Sequence, residues 1–319
     1  MKTEVRKMAT AVVMPEVETK TPVKNLEEAL ANKCFILRTR FGMIGNTRKV
    51  PTSQVEVKAN KKWVKVTKIL VESEELDAIK KLDSDMRAWL FQKCITFGEA
   101  AFVLVPFKRV TMVDEKFREF EKERELLVDA FVKAYPGLIK KAEKELDDTF
   151  NAGDYLPQKY VKGKFTFRYQ YLNFGTPGKL KEVSPELFRN EQAKTQESWK
   201  EALDEARGIL RAALLQLVTH LAERLEEEGG TPKVFRETTI TKLQDFLADF
   251  DVKNEITSDT ELQALVKKAR GLVTGVSVEE LRVTDTVRDK VRSGMEDIGK
   301  TLDRLLVDRP SRKFRFDED

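Results

Sequence analysis

The chain has 319 residues, of which 41% are hydrophobic and 35% charged, and its formal net charge is +4. No apolar run approaches the roughly 18 residues of a membrane-spanning helix, so no transmembrane segment is predicted. The single histidine and the two isolated cysteines exclude HExxH and CxxC metal sites and make a disulfide framework unexpected. This composition predicts a cytoplasmic protein without a cofactor.

The N-terminal part of the chain is basic. Residues 1–70 contain 15 lysines and arginines against 6 aspartates and glutamates. Residues 1–24 predict an irregular arm. Residues 25–72 predict a small basic β module, because β-forming residues alternate with turn residues. The module carries candidate residues for binding an anion or a nucleic acid: Arg38, Arg40, Arg48, Lys49, Lys61, Lys62, Trp63 and Lys65. The alternative is an ordinary solvated surface.

Helices are expected from Ser73 onward, because Ser73 can cap a helix whose apolar residues recur every three or four positions. A short apolar strand is predicted over residues 100–105. The next helix is predicted from Val113 to Tyr135, with apolar residues at heptad spacing and Arg124 as a polar exception. Pro136 and Gly137 predict a break or kink at its end.

An aromatic strand is predicted over residues 160–174. Four aromatic residues alternate with polar residues, which is the two-residue period of a strand with one aromatic face: Phe165, Phe167, Tyr169 and Tyr171. Packing of this face on helices is the favoured interpretation. Stacking on bases of single-stranded nucleic acid is the alternative, because cationic residues flank the aromatic face.

The longest predicted helix covers residues 184–228. Ser184-Pro185-Glu186 is a strong start signal, and no helix breaker follows until Gly229-Gly230. About 40 residues would span about 60 Å. Apolar residues at heptad spacing predict a seam that contains Trp199, Leu203, Leu210, Leu217 and Leu221. The seam could lie within the chain, against residues 113–150, or between copies in a homo-oligomer; the length of the helix favours assembly.

The predicted fold is therefore mainly α, with long antiparallel coiled-coil-like helices, a small N-terminal β module and an aromatic strand or hairpin. Residues 73–228 form a long-helix bundle with inserted strands in this prediction. A C-terminal helical bundle over 231–307 and a basic, aromatic tail over 308–319 follow.

Catalytic chemistry is not indicated by any motif. The segment Gly175-Thr176-Pro177-Gly178-Lys179 has two residues between its glycines and lacks the Ser or Thr that a phosphate-binding loop needs after the lysine. His220 lies between leucines of the long helix without a nucleophile pattern nearby. No catalytic, cofactor-binding or metal-binding residue is predicted.

The order of elements resembles an uncharacterised family of helical proteins found in bacteria, phages and mobile elements. The resemblance rests on WVKVTKILVESEELDAIKKLDSDMRAWL, EAAFVLVP, FREFEKERELLVDAFVKAYP and KFTFRYQYLNF, and it covers roughly residues 33–307. Members are often encoded beside a MoxR-type AAA ATPase and a von Willebrand-type metal-binding protein. The resemblance implies these two proteins as partners.

Two functions follow as expectations. The first is a non-enzymatic assembly or adaptor protein, possibly self-associating and acting with an AAA ATPase. The alternative is a nucleic-acid-binding protein that uses the basic N-terminal module. No membrane partner is expected, because the apolar stripes lack the Lys/Arg-rich polar faces of membrane-surface helices.

Overall fold

The computed structural model describes residues 26–56, 58–60, 62–97, 101–173, 175–228, 231–232 and 237–307. The predicted arm over 1–24, the predicted tail over 308–319 and the candidate residue Lys61 lie outside these ranges. None of the helices within them is long and apolar enough to cross a membrane.

The protein is mainly α-helical, as the sequence predicts. Its described helices are α1 (Leu26–Ala31), α2 (Glu74–Lys93), α3 (Val110–Leu146), α4 (Gln158–Val161), α5 (Leu180–Val183), α6 (Pro185–Arg224), α7 (Glu237–Thr257), α8 (Thr260–Val273), α9 (Val278–Val283) and α10 (Asp285–Val307). Ser73, Ser184 and Ser277 each accept a hydrogen bond from the backbone N–H three residues later, which satisfies a free donor at the start of a helix.

The β-strands form small antiparallel sheets. The described strands are β1 (Cys34–Phe41), β2 (Thr47–Val50), β3 (Val66–Ile69), β4 (Ile95–Thr96), β5 (Phe102–Pro106), β6 (Phe167–Leu172), β7 (Glu227–Glu228) and β8 (Thr231–Pro232). One sheet has the order β4-β5-β1-β6, while β2 pairs with β3 and β7 with β8. The prediction of one β module over 25–72 is corrected, because β1 pairs with two strands from distant parts of the chain rather than with β2 or β3.

The two faces of the four-stranded sheet pack against different helices. Leu37 of β1 and Val103 of β5 are buried against α2 and α3. Ile36 and Leu104 lie on the opposite face and contact the middle of α6 through a cluster that contains Trp199 and Leu203. Because side chains alternate along a strand, consecutive residues of β1 are divided between two cores.

α3 continues through Pro136 to Leu146, so of the predicted break or kink the break does not occur. A proline lacks the N–H that would bond to the carbonyl four residues earlier, which here belongs to Val132. The side-chain amide of Gln158 donates to this carbonyl at 2.8 Å. A side chain from α4 therefore supplies the hydrogen bond that the helix itself cannot make.

α6 is a single helix of 40 residues, which confirms the predicted long helix. The prediction that α6 packs antiparallel against residues 113–150 is wrong. α6 packs mainly on α10 and α7, whereas α3 packs on α2. The middle of α6, from Trp199 to Ala206, covers the sheet. Buried residues from Leu210 to Leu225 belong to a second core built with α7, α8 and α10.

A buried ion pair joins α2 and α3. The Arg124 Nε donates to Asp83 Oδ1 at 2.7 Å, and its Nη2 donates both to Asp83 Oδ2 at 3.1 Å and to the carbonyl of Gly42 at 2.9 Å. Both side chains are almost fully buried, at 1% and 5% exposed. Arg124, the polar exception in the predicted heptad, is therefore satisfied by a carboxylate and by the backbone that follows β1.

We expect Asp83→Ala to destabilise the protein by about 3–5 kcal/mol, because it leaves the Arg124 guanidinium buried without a counter-ion. The double variant Asp83→Leu/Arg124→Met removes both charges, so it should be more stable than Asp83→Ala. Urea unfolding of the two variants and the parent protein measures both effects. A double variant that is less stable than Asp83→Ala would contradict this account.

Candidate anion-binding face

One end of the four-stranded sheet carries arginines on an open face. Arg38 and Arg40 of β1 and Arg168 of β6 are exposed, together with Gln170. The strands pair so that Arg40 lies directly opposite Arg168, and Arg38 opposite Gln170. These four residues, here called the arginine face, border a shallow groove of about 540 Å³.

The arginine face is a continuation of the face that α6 covers. Ile36, Arg38 and Arg40 alternate along β1 and therefore share one side of the sheet. Trp199 and Leu203 of α6 pack over Ile36. α6 does not extend over Arg38 and Arg40, so this side of the sheet is apolar under α6 and cationic at the two arginines.

The positive charges on this face lack acidic partners. No acidic side chain in the described part of the chain forms an ion pair with Arg38, Arg40 or Arg168. Arg38 lies over the ring of Phe102, 5.7 Å from its centre, a contact that stabilises the cation without supplying a negative charge. Residues directly opposite on neighbouring strands have Cβ atoms about 5 Å apart, so Arg40 and Arg168 repel each other. Such an arrangement favours the binding of an anion between the two guanidinium groups.

The other predicted basic residues lie on a separate surface. Arg48 and Lys49 belong to β2, while Lys62, Trp63 and Lys65 lie in the connection between β2 and β3. Arg48 is 3.9 Å from the Asp154 carboxylate, which is also paired with Lys68 at 2.8 Å. Trp63 is 87% exposed. The structure therefore divides the predicted group between the sheet and the β2–β3 hairpin.

The predicted assembly seam lies inside the chain. Trp199 and Leu203 are buried in the core beside the sheet. Leu210 and Leu221 are buried in the C-terminal core, and Leu217 packs partly buried against it. These contacts account for the seam within one copy, so the apolar spacing no longer supports self-association.

The aromatic residues of β6 also point inward. Phe167, Tyr169 and Tyr171 pack against the core of α2 and α3. Burial raises the pKa of Tyr171 to about 12, and nearby Asp114 acts in the same direction. Core packing, the favoured interpretation, is confirmed, and this aromatic face does not offer stacking surfaces to bases.

Arg168 is one of the cations that flank the predicted aromatic strand, but the sequence does not group it with the basic residues of the N-terminal module. Alternation with the aromatic residues places Arg168 on the polar side of β6. The pairing of β6 with β1 brings it opposite Arg40, and this pairing spans more than 120 positions of the chain. The period of a strand predicts which way a side chain points but not which strand lies beside it.

A partly buried cluster of titratable groups lies beside Cys94. Asp249 pairs with Lys93 at 2.7 Å and with Arg109 at 2.9 Å. Burial lowers the pKa of nearby Lys253 to about 8, and Arg109 adds to this shift. Burial raises the pKa of the Cys94 thiol to about 12, which disfavours its thiolate as a nucleophile. The described residues contain no group of three or more His, Cys, Asp or Glu side chains that could hold a metal ion.

Comparisons with known proteins give no guide to this site. No family model matches the chain, and neither a curated protein nor a solved structure shows significant similarity to it.

We expect Arg168→Glu to raise the free energy of unfolding by up to about 1 kcal/mol at low salt, because it replaces repulsion of Arg40 with attraction. The gain should shrink at high salt, which screens exposed charges. Urea unfolding at two salt concentrations measures this effect. Arg168→Gln is the control and should give a smaller gain, because it removes repulsion without adding attraction. A loss of stability in Arg168→Glu would contradict the proposed juxtaposition.

We expect Lys253→Met to stabilise the protein at pH 7, by on the order of 2–3 kcal/mol. The folded-state pKa of about 8 lies below the ordinary value of 10.5, so the buried charge is unfavourable at neutral pH. As pH rises from 8 to 10.5, the folded protein loses this proton before the unfolded chain does. The stability difference between variant and parent should therefore narrow in that window. Unfolding measured across this pH range tests the prediction, with exposed Lys242→Met on the same helix as control.

Proposed function

We propose that this chain is a non-enzymatic binding protein that holds single-stranded nucleic acid across the arginine face. The observation that carries the proposal is the group of three exposed arginines, Arg38, Arg40 and Arg168, without an ion-pair partner among the described acidic residues. Guanidinium groups bind phosphate with two parallel hydrogen bonds, which suits them to this ligand.

The spacing of the arginines supports a polymeric ligand. Arg38 and Arg40 are two residues apart on β1, which separates them by about 7 Å along the strand. This is close to the separation of successive phosphates in an extended single strand. The groove is shallow and open, so it suits a chain lying across the sheet better than an enclosed small molecule.

The β2–β3 hairpin offers a second set of contacts. Lys62 and Lys65 flank exposed Trp63 in the connection between the strands. An exposed indole can stack on any base, and neighbouring cations can bind the phosphates on either side. We propose this connection as an accessory contact, with the arginine face as the principal one.

The test is fluorescence anisotropy of a short labelled oligothymidine titrated with the protein at several salt concentrations. We expect weak binding, with a Kd of about 10⁻⁴ to 10⁻⁶ M at physiological salt. With three phosphate contacts, the slope of log K against log salt should be about −2. Arg40→Gln/Arg168→Gln should weaken binding and flatten the slope by roughly one to two units.

Matched variants separate the two surfaces. Arg304→Gln, an exposed arginine on α10, is the control and should leave the affinity unchanged. Trp63→Ala should weaken binding by about 1–3 kcal/mol if Trp63 stacks on a base. If Lys62→Gln/Lys65→Gln abolishes binding while Arg40→Gln/Arg168→Gln has no effect, the principal site is the hairpin. Absence of binding at low salt would remove the proposal.

An assembly or adaptor role is the second candidate function. Gly42 and Thr166 exchange backbone hydrogen bonds, and by alternation the backbone groups of Phe167, Tyr169 and Tyr171 point away from β1. No other described segment pairs with this edge of β6, so a strand from a partner could extend the sheet there. The AAA ATPase and von Willebrand-type proteins implied by the family resemblance are proposed partners for this role. Light scattering of the isolated protein would distinguish self-association from binding of a different partner.

A further inference from the structure

A partly enclosed cavity of about 340 Å³ lies away from the arginine face. It forms where the backbone after β1, the end of the β2–β3 hairpin, α3 and the segment before α4 meet. This volume is near the lower limit of small-molecule sites. The space therefore suits a ligand of metabolite size.

The walls of the cavity are divided about equally between polar and apolar surface, and the apolar part comes mostly from large side chains. They include Ile44, Leu70, Val71, Tyr135 and Leu156. Two of the uncharged polar side chains in these walls, Tyr155 and Asn46, form hydrogen bonds to the protein backbone. The Tyr155 hydroxyl donates to the carbonyl of Leu70 at 2.9 Å.

The side chain of Asn46 also forms its hydrogen bonds within the protein. Its side-chain amide donates to the carbonyl of Val71 at 2.8 Å, and its oxygen accepts from the N–H of Val71 at 2.9 Å. The wall around Asn46 therefore has little capacity to recognise a strongly polar ligand. An apolar group would fill the space at low cost in desolvation.

The charges that border the cavity are mainly positive. Arg48 and Lys164 line it, and Asp154 is the acidic residue beside them. The Lys68 ammonium approaches Asp154 at 2.8 Å, whereas Arg48 lies 3.9 Å away. Lys164 is exposed and makes no ion pair with an acidic residue in the described ranges. Asp154 is closer to Lys68 than to Arg48, whose Nη1 donates to the carbonyl of Thr47 at 3.0 Å. Three cations thus surround one carboxylate, so the net charge beside the cavity is positive and favours an anion.

We propose that this cavity binds a small amphipathic carboxylic acid, whose apolar body contacts Ile44, Leu70 and Leu156 and whose carboxylate contacts Arg48 and Lys164. The site is distinct from the arginine face and does not depend on nucleic-acid binding. An arginine supplies two parallel donors to a carboxylate, so Arg48 is the principal contact for the acidic group.

Three probes of similar shape test the charge preference on the unaltered protein: 3-phenylpropanoate, 3-phenylpropan-1-ol and 3-phenylpropylamine. Binding is followed by NMR of labelled methyl groups. We expect the carboxylate to bind at least about tenfold more tightly than the amine, because a charge-assisted hydrogen bond contributes about 1.5 kcal/mol or more. The methyl signals of Ile44, Leu70, Val71 and Leu156 should shift with the bound fraction.

Two variants locate the site. Arg48→Met should weaken binding of the carboxylate by about tenfold and leave the affinity for the alcohol nearly unchanged. Lys49→Met, the adjacent position on the opposite side of β2, is the matched control. Ile44→Trp fills the cavity and should abolish binding of both probes.

Each of three results would overturn the proposal. The first is that none of the probes shifts these methyl groups. The second is that the amine binds as tightly as the carboxylate. The third is that binding persists in folded Ile44→Trp. The first two need no variant, so they stand even if a substitution prevents folding.

Discussion

The ion pair between Asp83 and Arg124 connects the helices beneath the sheet to the backbone that leaves β1. Removing two charges from water is unfavourable, and the geometry offsets that penalty with three hydrogen bonds from one guanidinium group. One of these bonds ends on the carbonyl of Gly42. Gly42 in turn exchanges backbone hydrogen bonds with Thr166, at the start of the β1–β6 pairing. The ion pair therefore supports the register that places Arg40 opposite Arg168.

The contacts around residue 42 explain why it is a glycine. A Cβ at position 42 would collide with the Thr166 hydroxyl and lie 3.0 Å from the carbonyl of Lys164. A side chain at position 42 would therefore force Thr166 or the segment before β6 to shift. Local consistency of this kind stabilises a strand pairing that is electrostatically unfavourable on its outer face. The repulsion between Arg40 and Arg168 is retained beside a well-packed aromatic core, which is the pattern expected where binding opposes stability.

Much of the helical structure follows from local signals in the sequence. Ser184 and Pro185 predict the start of α6, and the absence of breakers predicts its length, because both depend on neighbouring residues. Pro136 does not break α3, because Gln158, from another segment, donates to the carbonyl that Pro136 cannot reach. Asp259 likewise caps α8 by accepting from the N–H of Leu262, another start signal that depends on neighbouring residues.

The candidate site was harder to predict, because it depends on contacts between distant segments of the chain. Arg38 and Arg40 were identified from their charge, but their separation from Arg48 and Lys49 follows from strand pairing. β1 pairs with residues far away in the chain, and composition carries no information about such pairing. Arg168 could be assigned to the polar side of its strand from the sequence, whereas its neighbour Arg40 could not.

The length of α6 has an intramolecular explanation. A helix of this length was expected to need a partner along its whole extent, which favoured assembly. Instead, Trp199 and Leu203 cover the sheet, and Leu214 and Leu221 lie in the separate C-terminal core. Two consecutive cores thus use one helix. Where α6 crosses the sheet, it covers Ile36 but not Arg38. The packing of the long helix therefore determines where the apolar face of the sheet ends and the cationic face begins.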